Sequence, residues 1–279
     1  MKSILVPTDF SENAFNALTY AFGLFKDEKV TFHLLHAFRV KANLADVAIS
    51  DHETNIFEDH SQETVEELQV LKKKAIAQRG RADFKFETIA VGGDLEDAVE
   101  ALVKETTFDF VVLGTQGATG AREIFLGSNT VRVVKRLKDI AVLVVPEDFH
   151  FVPLNKILYP TAYKYPFTEA NLDVVNYVCD LWNCTVEVLY VEGSKAPLNE
   201  DALAHKAKLA ELLTKPKLDF ITIEGYTSVS KSIVAYSKRN NDNLVVLNYH
   251  EHGFFEQLLK EPIVKKVAFH SEIPLLIIT

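Results

Sequence analysis

Two kinds of hydrophobic spacing alternate along the chain. In the first, several apolar residues follow one another, as in Ile140–Val145, and such short continuous runs are typical of buried strands. In the second, apolar residues recur every three or four positions, as in Ala14, Leu18 and Ala21, which is the spacing of one helix face. Strands that alternate with helices predict an α/β fold with a parallel sheet covered by helices on both faces.

The first part of the chain contains five predicted strands and four predicted helices. The strands are Ser3–Val6, Lys29–Ala37, Phe84–Val91, Phe108–Leu113 and Ala141–Val145. The helices are Glu12–Phe25, Ser61–Gln78, Leu95–Thr106 and Asn129–Leu137. The segment Phe38–His60 is less regular and rich in acidic residues, so we interpret it either as a lid over a site or as a surface loop.

The same order of elements returns in the second part. Its predicted strands are Lys156–Tyr159, Thr185–Val191, Asp219–Glu224, Asn243–Leu247 and Pro274–Ile278, and its predicted helices are Phe167–Leu181, Glu200–Leu213, Ser228–Lys238 and Pro262–Phe269. The strands Ile4–Thr8, Phe110–Leu113 and Ile140–Val145 return in order at offsets of 153, 134 and 133 residues. A duplication with a shorter middle explains this shrinking offset. We therefore predict two domains, residues 1–147 and 154–279.

A glycine-bearing segment, Gly114–Thr130, lies between a predicted strand and a predicted helix. Gly114, Gly117 and the pair Gly127-Ser128 are separated by two and nine residues, which matches neither the Walker loop nor the dinucleotide loop. Glycines let a backbone approach a phosphate closely, and the free N–H groups of a helix start attract anions. Ser128 can cap the helix or donate its hydroxyl to a phosphate oxygen. The alternative is a glycine-rich turn without a ligand.

This spacing resembles the nucleotide-binding motif of the universal stress protein family. The resemblance implies two tandem doubly wound domains, each a five-stranded parallel sheet with helices on both faces, of the adenine nucleotide alpha hydrolase-like type. It also implies that the last strands, here Ala141–Val145 and Pro274–Ile278, pair within one chain as a pseudo-dimer, and it leaves a further homodimer open.

The resemblance further implies a bound adenine nucleotide, ATP, with Mg²⁺ or Mn²⁺ as a bridge between its phosphates. The positions that match the family's site are Pro7, Thr8, Asp9, Ala37, Gly114, Gly117, Gly127, Ser128, Asn129 and Thr130. Asp9 would accept from the ribose or the base, backbone groups near Ala37 would contact the adenine edge, and the loop would hold the phosphates. For Asp9, a role as a helix cap is an alternative that is compatible with binding.

The second copy departs from this pattern. The offsets place Asn248, Glu251, Glu261 and Pro262 where the first copy has its three glycines and Ser128, and they place Ala162 at the position of Asp9. Two glutamates would repel phosphates, and a proline at the helix start lacks a backbone donor. The sequence therefore predicts nucleotide binding in the first domain only. His250 and His252 alone are too few for a metal site.

Composition narrows the classes of function. The formal net charge of -9 disfavours binding to nucleic acid or to an anionic membrane, and no apolar run reaches the ~18 residues of a membrane span. The N-terminal segment does not have the pattern of a signal peptide, and the two cysteines lack a Cys-x-x-Cys spacing. We expect a cytoplasmic protein whose cysteines are small, reduced core residues. The basic face formed by Arg132, Lys135, Arg136 and Lys138 is expected to face solvent.

Three functional hypotheses follow. The chain is an ATP-binding regulatory protein of the stress response, a protein-interaction scaffold without a nucleotide, or a weak ATPase. The first is favoured because the loop offers only Arg122 and Glu123 as local groups for phosphate chemistry, which makes no recognisable catalytic constellation. We therefore assign neither catalytic residues nor metal ligands, and the protein partners are left unnamed.

Overall fold

The computed structural model describes residues 1–39, 52–80, 82–115, 128–192, 198–224, 229–240, 242–249 and 273–279, without the side chains of residues 52–60 and 230. The strands are β1 (Lys2–Pro7), β2 (Val30–Phe38), β3 (Phe84–Gly92), β4 (Phe110–Gly114), β5 (Ala141–Val145), β6 (Lys156–Pro160), β7 (Thr185–Glu192), β8 (Lys217–Glu224), β9 (Leu244–Asn248) and β10 (Leu275–Ile278). The helices are α1 (Glu12–Leu24), α2 (His52–Gln78), α3 (Leu95–Glu105), α4 (Ser128–Arg136), α5 (Glu169–Trp182), α6 (Glu200–Leu212) and α7 (Val229–Asn240). Within these ranges, no helix is both long enough and apolar enough to cross a bilayer.

The described strands form one sheet in the order β3-β2-β1-β4-β5-β10-β9-β6-β7-β8. Neighbouring strands are parallel except β5 and β10, which are antiparallel with Val144 opposite Leu275 and Ala141 opposite Ile278. Each half therefore contributes a five-stranded parallel sheet, as predicted, and in each half the strand order reverses beside the first strand. Because the two halves join through an antiparallel pair, the carboxyl ends of their strands lie at opposite edges of the sheet.

Both faces of the sheet carry a hydrophobic core that runs through both halves. Successive side chains of a strand point to opposite faces, so Ile4 and Val6 join one cluster and Leu5 joins the other. The first cluster packs against α1, α2, α5 and α6, and the second packs against α3, α4 and α7. This is the predicted arrangement of helices on both sides of a parallel sheet.

The main difference from the sequence-based prediction is the start of α2. The helix begins at His52, so residues 52–60 are helical, whereas Phe38–His60 was expected to be irregular. The chain has neither glycine nor proline between Asp51 and Arg79, and glutamate is a good helix former, so an acidic composition is no barrier to a helix. The other described elements begin and end within two residues of their predicted bounds, while the predicted helix Pro262–Phe269 lies outside the described residues.

The segment that joins the halves is docked on α1. Asn16 Nδ2 donates to the carbonyls of Pro146 and Phe149 at 3.0 and 3.1 Å. The ring of Phe151 lies against Gly23, where a Cβ would be only 2.2 Å from the ring. Gly23 therefore supplies the close approach that lets the joining segment lie along the helix.

The substitution Gly23→Ala is expected to destabilise the protein. Alanine normally stabilises a helix interior by about 1 kcal/mol relative to glycine, but here its methyl group overlaps the Phe151 ring, so we expect a loss of roughly 1–3 kcal/mol. Urea unfolding followed by the fluorescence of Trp182 measures the change. In a Phe151→Ala background the same substitution is expected to be stabilising, and a stabilising effect in the wild-type background would contradict the packing.

Candidate functional site

The turn between β1 and α1 places Asp9 at the carboxyl end of the first strand. Asp9 Oδ1 accepts hydrogen bonds from the backbone N and the Oγ of Ser11, at 3.1 and 2.6 Å. Ser11 Oγ in turn accepts from Ala14 N at 3.2 Å, which makes Ser11 the N-cap of α1. Asp9 therefore orients the cap residue and is not itself the cap.

The residues on either side of Asp9, Thr8 and Phe10, are tied to β2 by hydrogen bonds and by a ring contact. Thr8 N donates to Leu35 O at 2.8 Å, and Thr8 Oγ1 accepts from Phe10 N at 3.0 Å. Phe10 has a φ of 63°, and its ring lies 4.6 Å from the His36 ring, centroid to centroid. His36 Nδ1 lies 2.7 Å from Thr8 O, and because a carbonyl only accepts, this nitrogen carries the proton.

The peptide groups of Ala37 face the gap beyond the end of β1. In a strand, the backbone groups of alternate residues point to opposite neighbours. Leu35 O faces β1, where it accepts from Thr8, and Phe38 O faces the other side, where it accepts from Gly93 N at 2.9 Å. Ala37 lies two residues after Leu35, so its backbone groups point to the same side, towards β1. The pairing of β1 with β2, however, stops at Pro7. Its N–H and C=O therefore face the space level with Asp9, where the chain has turned away into α1.

Gly114, at the end of β4, is held between two other elements. A Cβ on Gly114 would lie 1.7 Å from Oδ1 of Asn13, so the docking of α1 on β4 requires glycine here. Thr130 Oγ1 donates to Gly114 O at 3.0 Å, and Thr130 is 4% exposed. The side chain of Thr130 therefore ties the start of α4 to the end of β4.

The start of α4 is exposed and lies beside an arginine of the same helix that is ion-paired with α3. Ser128 is the first residue of the helix, and both it and Asn129 are exposed. Arg132 lies 3.4 Å from Ser128 Oγ, and it pairs with Glu96 of α3 at 3.1 Å. The predicted basic face is exposed, but its two arginines are ion-paired with α3, since Arg136 contacts acidic groups of that helix as well.

The structure brings most of the predicted site residues to one edge of the first half. Pro7, Thr8, Asp9, Ala37, Gly114, Ser128, Asn129 and Thr130 all lie at the carboxyl ends of β1, β2 and β4 or at the start of α4. Strand order reverses between β2-β1 and β4 at this edge, where ligands of open α/β sheets bind. The predicted residues Gly117 and Gly127 lie outside the described residues.

Three residues around this edge were not predicted to shape it. Asn13 fills the space beside Gly114, and the ring of His36 packs against that of Phe10. Thr115 is 3% exposed, and its Oγ1 has no hydrogen-bond partner among the described residues. Its position directly after the first glycine was the one available signal, whereas the contacts of Asn13 and His36 depend on the folded chain.

The second half repeats the backbone of this site with other side chains. Thr161 N donates to Leu189 O at 2.9 Å, and Thr161 Oγ1 accepts from Tyr163 N at 3.0 Å. Tyr163 has a φ of 53°, and its ring lies 6.0 Å from that of Tyr190, as Phe10 lies against His36 in the first half. Ala162, however, offers no carboxylate.

The end of β9 also differs from its counterpart in the first half. Asn248 stands where β4 ends with Gly114, and α5 begins nine residues after its strand ends, compared with five for α1. In the first half, the first turn of α1 packs on Gly114. Because α5 begins later after its strand, it has no turn at the corresponding position. The described second half thus lacks a carboxylate in the turn after its first strand and a glycine at the end of β9, and the counterpart of the start of α4 lies outside the described residues.

A buried carboxyl group in the second half lies away from both carboxyl edges. Asp242 precedes β9, is 3% exposed, and its carboxylate has no hydrogen-bond partner among the described residues. The pKa of Asp242 is raised to about 7, chiefly by burial and also by the charge of Glu187, while Lys156 opposes the rise. Glu187 itself accepts from Lys156 Nζ at 2.7 Å and from Tyr236 OH at 2.8 Å. Among the described residues no cluster suited to a metal ion is found.

A sequence model of the universal stress protein family matches residues 1–146. The curated universal stress protein MJ0577 of Methanocaldococcus jannaschii is 30% identical over 148 residues, which cover 48% of this chain and 89% of that protein.

Two solved structures resemble the chain over nearly its full length. A universal stress protein from Archaeoglobus fulgidus has a TM-score of 0.66 at 19% identity and covers 99% of this chain and 96% of its own. A Pseudomonas aeruginosa protein described as a universal stress protein has a TM-score of 0.56 at 15% identity and covers 100% of this chain and 93% of its own. At these identities the similarity shows the fold, including the presence of both halves.

The substitution Gly114→Ala is expected to lower the free energy of unfolding by roughly 1–3 kcal/mol, because the new methyl group overlaps the Asn13 side chain. Urea unfolding measures the loss. Asn13→Ala in the same chain makes room for the methyl group, so the double variant is expected to be more stable than the sum of the two single effects. Additive effects would contradict the contact.

The substitution Asp242→Asn is expected to change the pH dependence of stability. The folded-state pKa lies above the usual value near 4, so the wild-type protein loses stability as the pH rises from about 4 to about 7. The variant does not ionise. It is expected to be more stable than the wild type by on the order of 2–4 kcal/mol at pH 8 and equally stable at pH 4.

Urea unfolding at both pH values measures the difference between the two proteins. Asp173→Asn removes an exposed carboxylate from the same half and is the matched control, with no such pH-dependent gain. If the Asp242→Asn variant is no more stable than the wild type at pH 8, ionisation of the buried carboxyl does not lower the free energy of unfolding.

Proposed function

The chain belongs to the universal stress protein family, and we propose that its first half binds ATP at the carboxyl edge of the sheet while its second half does not. The observation that carries this proposal is the peptide group of Ala37, which faces the gap beyond β1 at the level of Asp9. An adenine ring presents an acceptor and an amino donor side by side on one edge. A strand N–H and C=O that point into the same gap match this pair.

The other described groups at this edge suit the rest of the nucleotide. The Asp9 carboxylate is next to the adenine position and accepts hydrogen bonds from ribose hydroxyls. The start of α4, a nine-residue helix, offers backbone N–H groups and the hydroxyl of Ser128 to phosphates. The buried hydroxyl of Thr115, at the base of the loop, is a further donor for a ligand or a water.

Gly114 contributes in another way than we expected. The space that a Cβ of Gly114 would need is already occupied by the side chain of Asn13. Glycine at this position therefore serves the packing of α1 first of all. The phosphate-binding role assigned to it rests on its backbone. A divalent cation, Mg²⁺ or Mn²⁺, would be held mainly by phosphate oxygens and would screen their charge.

The proposed role is regulatory binding in the stress response, without turnover. Phosphoryl transfer uses a positioned base, metal-holding carboxylates and a cationic clamp. The cation closest to the start of α4 among the described residues is Arg132, and it is engaged by Glu96 and Ser128. The second half keeps the adenine-facing backbone geometry but lacks the carboxylate, which supports a single site per chain.

The substitution Asp9→Asn is expected to weaken ATP binding at least tenfold, because a charge-assisted hydrogen bond contributes roughly 1.5–3 kcal/mol. Asparagine keeps an Oδ1 for the contact with Ser11, so the turn is retained. Equilibrium dialysis with labelled ATP gives the affinity and the stoichiometry, which we expect to be one nucleotide per chain. Asp139→Asn removes the same charge from an exposed position at the amino edge of the same half and is the matched control.

Each other outcome of this experiment favours a different hypothesis. Two equivalent nucleotides per chain would contradict a non-binding second half. No binding at millimolar ATP would favour the protein-interaction scaffold. Steady phosphate release that is lost in the Asp9 variant would favour the weak ATPase.

A further inference from the structure

The two cysteines of the chain lie against each other beside the junction of the two halves. Cys179 is in the last turn of α5, and Cys184 directly precedes β7. Their sulfur atoms are 3.2 Å apart, and the residues are 1% and 3% exposed. A disulfide has an S–S distance of about 2.05 Å, so closure requires an approach of about 1 Å. Sequence reasoning treated them as separate core residues, because a spacing of five residues matches no redox motif.

The pair has an asymmetry that suits thiol chemistry. The hydrogen bond between the sulfurs lowers the pKa of Cys184, because its thiolate accepts from the neighbouring thiol, and it raises the pKa of Cys179. The thiolate is the reactive form of cysteine. Of the two sulfurs, Cys184 is therefore the one that ionises more readily.

We propose that Cys179 and Cys184 are a reversible dithiol–disulfide site that is oxidised by hydroperoxides. The Cys184 thiolate attacks one oxygen of hydrogen peroxide, the O–O bond breaks, and the leaving hydroxide takes up the proton released by Cys184 to form water. Cys184 is then a sulfenic acid. The Cys179 sulfur attacks the Cys184 sulfur, the S–O bond breaks, and a second water leaves with the Cys179 proton. The two sulfurs lose two electrons, and the peroxide gains them.

Burial determines which product forms. With both sulfurs nearly inaccessible, a thiol of another chain does not reach them, whereas the neighbouring sulfur is already at 3.2 Å. Only a small oxidant reaches the site, through local opening of the last turn of α5. The expected product is thus an intramolecular disulfide, without intermolecular cross-links and without further oxidation of Cys184.

The disulfide would close around a residue through which α5 contacts the first half. Trp182 lies between the cysteines in sequence, and its Nε1 donates to Leu24 O, at the end of α1, at 3.0 Å. Its ring lies 5.1 Å from that of Phe151 and 4.8 Å from Lys26 Nζ. Because Trp182 is the single tryptophan of the chain, its fluorescence reports on this contact in both redox states.

The test starts from the reduced full-length chain. The protein is treated with graded hydrogen peroxide, the peroxide is removed with catalase, and the chain is unfolded in iodoacetamide before its intact mass is measured. We expect a loss of about 2 Da with no alkylation, which corresponds to one disulfide. Dithiothreitol is expected to restore two alkylated cysteines, a non-reducing gel is expected to show only monomer, and Trp182 emission is expected to shift with the same dose dependence.

Two single variants test whether both sulfurs are needed. Cys179→Ala and Cys184→Ala each leave one thiol, so neither variant is expected to show the loss of about 2 Da or the shift of Trp182 emission at the same dose. The wild-type measurement decides the proposal even if a variant unfolds. Two alkylatable thiols after peroxide treatment, or disulfide-linked dimers, would overturn it.

Discussion

The antiparallel pairing of β5 with β10 is the constraint on which the arrangement of both halves depends. Both strands are buried along their whole length. As free edges they would present apolar side chains and unpaired backbone groups, which is a hazard of association. The pairing removes both edges and makes one sheet with a continuous core on each face. It also sends the two carboxyl edges in opposite directions, so ligands of the two halves cannot share one pocket.

The two halves share the backbone geometry of the turn after their first strand but not the side chains that it carries. The turn after the first strand has the same hydrogen bonds and the same positive φ in both halves, at Phe10 and Tyr163. These features belong to the strand pairing and to the contact of each ring with its neighbour on the second strand, so the fold itself maintains them. The Asp9 carboxylate has no such role in the pairing of strands, and Ala162 shows that the turn forms without it. A shared fold is therefore weak support for a shared ligand.

The sequence was informative where structure depends on local spacing. Runs such as Ala141–Val145 and the stripes of the helices gave the elements, the repeat and the fold class, because periods of 2 and 3.6 are local properties. The packing of Asn13 on Gly114 joins positions about a hundred residues apart, and the docking of Phe151 on Gly23 depends on the path of the joining segment. Both glycines are required by packing between elements that are distant in the sequence. From the sequence alone, Gly114 cannot be distinguished from a glycine that binds phosphate.

The end of β4 and the start of α4, which flank the glycine-bearing segment, are held together by contacts within the protein. These contacts affect how strongly an anion would bind. Thr130 Oγ1 bonds to Gly114 O, so the strand before the loop and the helix after it are joined across a buried contact. Arg132 and Glu96 hold the same helix start from the side of α3. The entropy of bringing the two ends of the loop together is therefore lost on folding and not on binding. At the proposed site, binding energy from the phosphates would then remain for affinity, since a preorganised site needs little ordering of the residues that flank it.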